Sequence, residues 1–408
     1  MDRIILHSDL NNFYASVECF NDPKFRGLPV AVTGDPEKRH GIILAKNNIA
    51  KAHGIKTGEP LWMAKKKCAN LVCISSHFER YSKFSNMAKS IYAEYTDFVE
   101  SFGPDECWLD ITKSGEDLSY GKEIAEIIRQ RIKDELGVTV SIGVSFNKVF
   151  AKLGSDYKKP DAVTVISREN FKEIVWPMSV DNLLFVGRAT LNKLKTRGCS
   201  TIGDLGSMSK SSLEKLLGKN GITIHDFANG NEHSPVLPLY EKYPVKSIGN
   251  STTAFRDLTT DDDIKIILMT LAESVSERLR NAKAKCSVVQ VHFRNTKLYS
   301  FERQQIIEPT DVSSDIFEIA FKIYKANNKG EALRSIGIKA ASLTFEEKLQ
   351  CSFIETNHEK LEKLELSIDN IRERFGHFSV GRALMLSDIE LSSFNPIADH
   401  TLHFEPYR

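Results

Sequence analysis

A chain of 408 residues is longer than one ordinary hydrophobic core can serve and predicts two to four domains. Its 41% hydrophobic and 27% charged content is that of a globular protein, and a net charge of +1 carries no global signature of a polyanionic partner. The seven cysteines (Cys19, Cys68, Cys73, Cys107, Cys199, Cys286 and Cys351) form no C-x-x-C pair and sum to an odd number. That argues against a disulfide framework or a zinc site and predicts reduced thiols in a cytoplasmic protein. No signal peptide is expected, because the chain opens directly on a strand, and no apolar run approaches the roughly 18 residues of a membrane span.

In chain order, residues 3–9 predict a short apolar strand ending in Asp9, followed by a helix through Glu18 with Asn11 or Asn12 as its cap. Strands at 30–33 and 41–45 and a short helix at 47–53, closed by Gly54, make residues 20–77 a small α/β insert. Residues 81–99 carry apolar side chains at helical spacing. Two strand-like runs, 96–102 and 107–112, then flank the turn Gly103-Pro104-Asp105-Glu106. A long helix at 120–136, a β-branched strand at 138–144, a helix capped by Asn147 and a strand at 163–166 complete this region. The order predicts a ferredoxin-like antiparallel sheet with helices on one face, which places Asp9 and Asp105 on neighbouring strands. Residues 183–231 read as a compact helical domain, and Pro235, Pro238 and Pro244 mark a linker. From 247 to 345 helices (263–281, 316–326) and strands (287–292, 333–343) alternate again as a second α/β domain. The tail holds one amphipathic helix, 361–375, expected to pack on the body or self-associate, and is otherwise expected to be polar and mobile.

An acidic pair at a turn is ordinarily just solvated. Asp105 and Glu106 can serve one cluster only where the chain bends, because neighbours on a regular strand point to opposite faces, and Gly103-Pro104 supplies that bend. With Asp9 close by, three carboxylates would raise one another's pKa unless cations neutralised them. Hard oxygen donors suit Mg²⁺ or Mn²⁺, and two such ions about 4 Å apart stabilise both the attacking and the leaving oxygen of a phosphoryl transfer.

Four segments tie these acids together. They are Asp9-Leu10-Asn11-Asn12-Phe13-Tyr14-Ala15-Ser16-Val17-Glu18, the stretch 50–60 from Ala50-Lys51 to Glu59-Pro60, Asp105-Glu106-Cys107-Trp108-Leu109-Asp110, and 141–160 from Ser141-Ile142-Gly143 to Lys158-Lys159-Pro160. In this order and spacing they resemble the signature motifs of the Y-family, or translesion, DNA polymerases, and the likeness extends over residues 1–345. The resemblance implies an α/β right-hand polymerase. It would have a ferredoxin-like palm (1–19 and 78–167), small fingers (20–77), a helical thumb with a helix-hairpin-helix turn (168–234), a linker (235–246), an α/β little finger (247–345) and a C-terminal tail (346–408).

The same resemblance implies roles for single residues. Asp9, Asp105 and the Leu10 carbonyl would hold two Mg²⁺ ions, with Mn²⁺ as a substitute, and Glu106 the ion that activates the primer 3′-hydroxyl. Tyr14 matches the steric gate against ribonucleotides, and Asn12, Phe13, Asn48, Lys51 and Lys159 the nucleotide-binding positions. Many polymerase IV-type members have Tyr and Arg where this chain has Asn48 and Lys51, which polymerase V-type catalytic subunits resemble more closely. A lysine meets phosphate as a point charge, without the bidentate fork of arginine. Pro104 stands where the family usually has an aliphatic residue. In the thumb, Gly187 and Arg188 match the phosphate-binding turn, although Phe185 stands where glycine is common. Arg278, Arg280, Lys283, Lys285, Arg294 and Lys297 would line the duplex backbone, contacts that are independent of sequence and sensitive to salt. Gln350, Phe353 and Ile354 resemble the sliding-clamp pentapeptide, with Cys351 where leucine is usual. Primer-template DNA, dNTPs and a clamp are the partners implied, for a low-processivity cytoplasmic monomer acting in DNA repair and the SOS response. Two other readings fit fewer of these features: a palm-type nucleotidyl cyclase, and a non-catalytic DNA-binding or clamp-interacting accessory protein.

Overall fold

The computed structural model describes residues 2–34, 41–241, 245–345 and 358–396. Two compact units are present, residues 2–34 with 42–241, and residues 245–345 with 358–396. The first opens with β1 (Ile5–Leu10), buried along its whole length. Asn12 then turns the chain into α1 (Phe13–Asn21) with φ at 50°, a left-handed conformation that asparagine tolerates. β2 (Val30–Thr33), β3 (Ile43–Lys46), α2 (Asn48–Ala52), α3 (Leu61–Lys67) and β4 (Val72–Ser75) build a small layer of their own. Its sheet has the order β3-β2-β4 and packs on Ala31, Ile43, Ile55 and Leu61.

The main sheet is completed by α4 (Phe78–Ala93), β5 (Val99–Ser101), β6 (Glu106–Asp110), α5 (Leu118–Leu136), β7 (Val140–Ser145), α6 (Lys148–Tyr157) and β8 (Val163–Ile166). α4 stops short of the expected residue 99 because the Thr96 hydroxyl bonds both Asp110 O and Phe98 N, fixing a turn. The strand order is β5-β6-β1-β7-β8, with β1 central and antiparallel to both neighbours. Two expectations are corrected. The sheet is not wholly antiparallel, because α6 carries the chain back and β8 joins β7 in parallel. Nor do the helices keep to one face. Gly121 of α5 lies against Ile4 and Val144, whereas Gly143 lies against the α6 backbone. Consecutive β7 residues point oppositely, so α5 and α6 cover opposite faces. A Cβ at 143 would sit 1.9 Å from Ala151 O, so this close approach of helix to strand requires glycine.

α7 (Phe171–Ile174), α8 (Arg188–Lys195), α9 (Ile202–Ser207), α10 (Lys210–Leu217) and α11 (Lys219–Ala228) cluster round Leu183, Leu194, Ile202, Leu213 and Ile224.

The second unit contains β9 (Ser247–Leu258), α12 (Asp261–Asn281), β10 (Lys285–Asn295), β11 (Ser300–Thr310), α13 (Ser313–Asn327) and β12 (Leu333–Thr344). Its antiparallel sheet has the order β11-β10-β12-β9. β9 and β11, which the sequence reading passed over, are the two edges. Their runs are polar, and β11 contains Pro309, as edge strands allow. The tail helix packs on the body as expected, whereas the expectation of a polar, mobile remainder is corrected by the segment after it. α14 (His358–Phe375) and α15 (Ile389–Ser392) dock on this unit, with Leu391 in its core and Leu384 and Phe394 packed against it. α14 turns charge inward: Arg372 pairs with Glu273 at 2.7 Å, and Arg382 reaches both Glu273 and Glu365. Among the described residues no helix is long and apolar enough to cross a membrane.

Candidate active site

The pleat of the main sheet selects which side chains meet. His7 and Asp9 on β1, with Glu106 and Trp108 opposite them on β6, all project to the α6 side. Ser8 projects to the other side, where its hydroxyl meets that of Tyr92 at 2.7 Å. Asp9 is the register partner of Glu106. Asp105 lies in the bend just before β6, and its carbonyl accepts from Leu10 N at 3.0 Å. The three carboxylates named from the sequence therefore gather where two paired strands end.

Their electrostatics reflects that crowding. Burial pushes Asp9 up to about 8, with Lys159 opposing and the charges of Glu106 and Asp105 adding. Burial and Glu106 push Asp105 up to about 6. Glu106 moves the other way, because the facing His7 ring and the Lys152 ammonium outweigh its burial. Lys152 Nζ lies 2.6 Å from Glu106 Oε2, and Lys159 Nζ lies 2.5 Å from Asp9 Oδ2 and 2.6 Å from Asp156 Oδ1. Lys159, which burial alone would push down, is held up at about 12 by these acids.

The sequence reading did not single out Lys152 or His7. Both stand in or beside the motifs, but only the fold shows what they face. His7 is fully buried and its pKa falls to about 4 through that burial. Its Nδ1 meets Ser155 Oγ at 2.9 Å, while Nε2, without a hydrogen-bond partner, faces Glu106 Oε2 at 3.6 Å.

Among the described residues, no three His, Cys, Asp or Glu side chains already form a metal cage. Lysine ammonium groups sit on the carboxylate edges instead. The donor chemistry nonetheless fits a hard divalent cation. The acids are oxygen donors, and two of them are pushed toward protonation by burial and by the neighbouring acids, which a cation would offset.

Beside this cluster, the Tyr14 ring stacks on Tyr81 with centroids 4.1 Å apart and planes at 13°. The Tyr81 hydroxyl donates to Glu18 Oε1 at 2.7 Å, a buried carboxylate also bound by His77 and Arg80. Burial and the Asp105 charge push the Tyr14 phenol up to about 12. Asn12 Nδ2 donates to Asn48 Oδ1 at 3.0 Å, which joins two of the expected nucleotide-binding residues, and Lys51 is exposed on α2. Phe13 is 3% exposed, and its side chain packs in the palm core.

In the helical cluster Gly187 caps α8 with open space round it, and Arg188 is exposed at the helix start. Phe185 adopts φ of 70°, the left-handed region that glycine enters freely and other residues enter at a cost.

The second unit departs most from expectation. Arg280, 6% exposed, forms a fork on Asp369 at 2.5 and 2.8 Å, and Lys285 Nζ lies 2.5 Å from Glu362. Arg278 donates to Gly249 O at 3.1 Å and Asn250 Oδ1 at 2.6 Å. For these three, α14 and β9 supply acceptors that the local sequence does not reveal. Lys283, Arg294 and Lys297 remain exposed. Gln350, Phe353 and Ile354 lie outside the described residues.

A palm that aligns acids at paired strand ends, a helical cluster with a glycine-capped turn and a separate sheet unit together make the fold of a right-hand polymerase. A Y-family DNA polymerase chimera of known structure shares it at a TM-score of 0.74, with 22% identity, over 84% of this chain and all of that one. The impB/mucB/samB family model matches residues 8–156, its C-terminal domain residues 245–353, and a DNA polymerase-iota thumb domain residues 182–232. A DNA polymerase IV of Acetivibrio thermocellus is 49% identical, over 95% of this chain and 98% of its own length. DNA polymerase IV 1 of Bacillus subtilis is 35% identical, over 92% and 91%. The chain belongs to the Y family of DNA polymerases.

Proposed function

We propose that this chain extends a primer on damaged or undamaged template by template-directed transfer of deoxynucleotides, with release of pyrophosphate and low processivity. The observation that carries the reading is the placement of Asp9 opposite Glu106 at paired strand ends, with Asp105 in the adjoining bend. Asp9, Asp105 and the Leu10 carbonyl would hold two Mg²⁺ ions, or Mn²⁺, with Glu106 on the primer side. When bound, the ions supply activation of the 3′-hydroxyl and neutralisation of charge on the leaving oxygens.

The chain's own residues do the rest. Lys159, now on Asp9, is within reach of a triphosphate seated at the same carboxylate edge. Lys152 keeps Glu106 aimed and ionised, with the His7 ring facing the same carboxylate. Asn12, Asn48, Lys51 and the Phe13 main chain border the nucleotide, and the Tyr14 ring, braced by Tyr81, blocks a 2′-hydroxyl. Gly187, Arg188, Lys283, Arg294 and Lys297 meet DNA phosphates. The chain acts as a cytoplasmic monomer and binds a sliding clamp through 350–354.

Primer extension with single dNTPs on primed templates, intact and lesion-bearing, is the test. Template-matched insertion of dNTPs but not rNTPs is expected, with Tyr14→Ala admitting rNTPs. Absence of extension would refute the reading, and NTP consumption without DNA would point to a cyclase.

A further inference from the structure

Residues 42–75 carry six lysines (Lys46, Lys51, Lys56, Lys65, Lys66 and Lys67) against one carboxylate, Glu59, in a chain whose net charge is +1. Glu59 is spent on Lys67, at 2.5 Å. This is a concentration of positive charge that the whole-chain charge conceals, and part of it lies beside an aromatic ring. On α3, Leu61 and Ala64 face the core, which turns Trp62 outward at 60% exposure. Trp62, Lys65 and Lys66 are spaced i, i+3 and i+4, so they share one helix face. Lys66 Nζ lies 4.8 Å from the Trp62 ring centroid, covering one face of the indole. Exposed Met63 adjoins it, and exposed Ile42 pairs with Pro60, just before the helix.

We propose that this face of the fingers, centred on Trp62 with Lys65 and Lys66, binds unpaired template strand by stacking a base on the indole while the ammonium groups meet the flanking phosphates. An exposed tryptophan beside Lys65 and Lys66, which form no ion pair among the described residues, fits single-stranded DNA better than it fits a duplex, whose bases are already stacked, or an apolar protein surface, which would leave the lysines desolvated. The ring is held by a rigid helix and costs little ordering on binding. The inference rests on the polymerase reading for its choice of ligand.

Equilibrium binding of labelled primer-templates to the full chain tests it, comparing a blunt end, an eight-nucleotide 5′ overhang and the same overhang made abasic. The wild type is expected to prefer the natural overhang over the abasic one by about 5- to 150-fold, the range of one stacked base. Trp62→Ala should bind both alike, and Trp62→Phe should recover part of the preference. Lys66→Ala should lower the salt dependence of overhang binding by about 0.7 in log–log slope. The other tryptophans are Trp108, which is fully buried, and Trp176, which is partly buried, so overhang DNA should quench the exposed Trp62 emission and leave Trp62→Phe unquenched. An unchanged overhang preference in Trp62→Ala, or a wild type that binds abasic and natural overhangs equally, would overturn the inference. Either result leaves the polymerase reading standing if the wild type extends primers, whereas failure of extension together with failure to bind any primer-template sinks the reading itself.

Discussion

The acidic palm and the basic second unit present the same problem with opposite outcomes. In each, a run of like charges invites a functional reading. In the palm, carboxylates from two paired strands converge, burial pushes two of them toward protonation, and two lysines supply counter-charge. In the second unit, the run from Arg278 to Lys285 is largely spent on the molecule itself. Asp369 takes Arg280 and Glu362 takes Lys285, while Asn250 and a β9 carbonyl take Arg278. A charge run is a binding surface only where the fold withholds its partners, and in the second unit those partners lie 77 to 89 residues away in sequence for Lys285 and Arg280.

The contrast can be broken most sharply at Arg280. Its removal leaves Asp369 and the buried Glu365 short of a cation, so Arg280→Ala should destabilise the second unit by about 3–5 kcal/mol in denaturant or thermal unfolding. Weaker DNA binding at unchanged stability would restore it as a duplex contact. The palm predicts the reverse sign. Asp105 is raised to about 6 in the folded protein, so folding takes up protons as the carboxyl titrates, and stability without divalent ions falls as pH rises from about 4 to about 6. Asp105→Asn should therefore stabilise the metal-free protein at pH 8 by about 1–3 kcal/mol while abolishing extension. Mg²⁺ should raise the wild-type Tm at that pH and raise the variant's less.

Phe185 offers a smaller effect. Relief of its left-handed φ is worth about 1–2 kcal/mol, partly offset by loss of the ring facing Phe227 at 5.8 Å and by the greater entropy of unfolded glycine. Phe185→Gly should come out up to about 1 kcal/mol more stable, with tighter backbone phosphate binding measured by fluorescence anisotropy. Smallest in stability is Arg294→Ala, which should change unfolding free energy by less than about 0.5 kcal/mol and lower the salt slope of duplex binding by about 0.9.

The palm was legible because its chemistry is contiguous. Asp105-Glu106 beside a Gly-Pro bend and Asp9 ending an apolar strand are local facts, and strand pairing needs only the order of elements to bring them together. What escaped depended on packing between distant segments. His7 reads as a core residue until Ser155 and Glu106 are seen on its two nitrogens. The second face of the sheet was hidden because Gly143, which admits α6, looks like any glycine within a strand. β9 and β11 lacked an apolar stripe because edge strands need none. The amphipathic pattern of α14 was legible as a packing helix, but a helical wheel cannot show that Glu365 and Arg372 turn inward to partners.

The most direct test is single-turnover insertion of one template-matched dNTP as a function of Mg²⁺, for wild type, Asp105→Asn and Glu106→Gln. Saturable, Mg²⁺-dependent insertion is predicted for the wild type, with a loss of at least about 1,000-fold in each variant and unchanged far-UV circular dichroism. Insertion by either variant at the wild-type rate would contradict the assignment of the strand-end carboxylates as the catalytic centre.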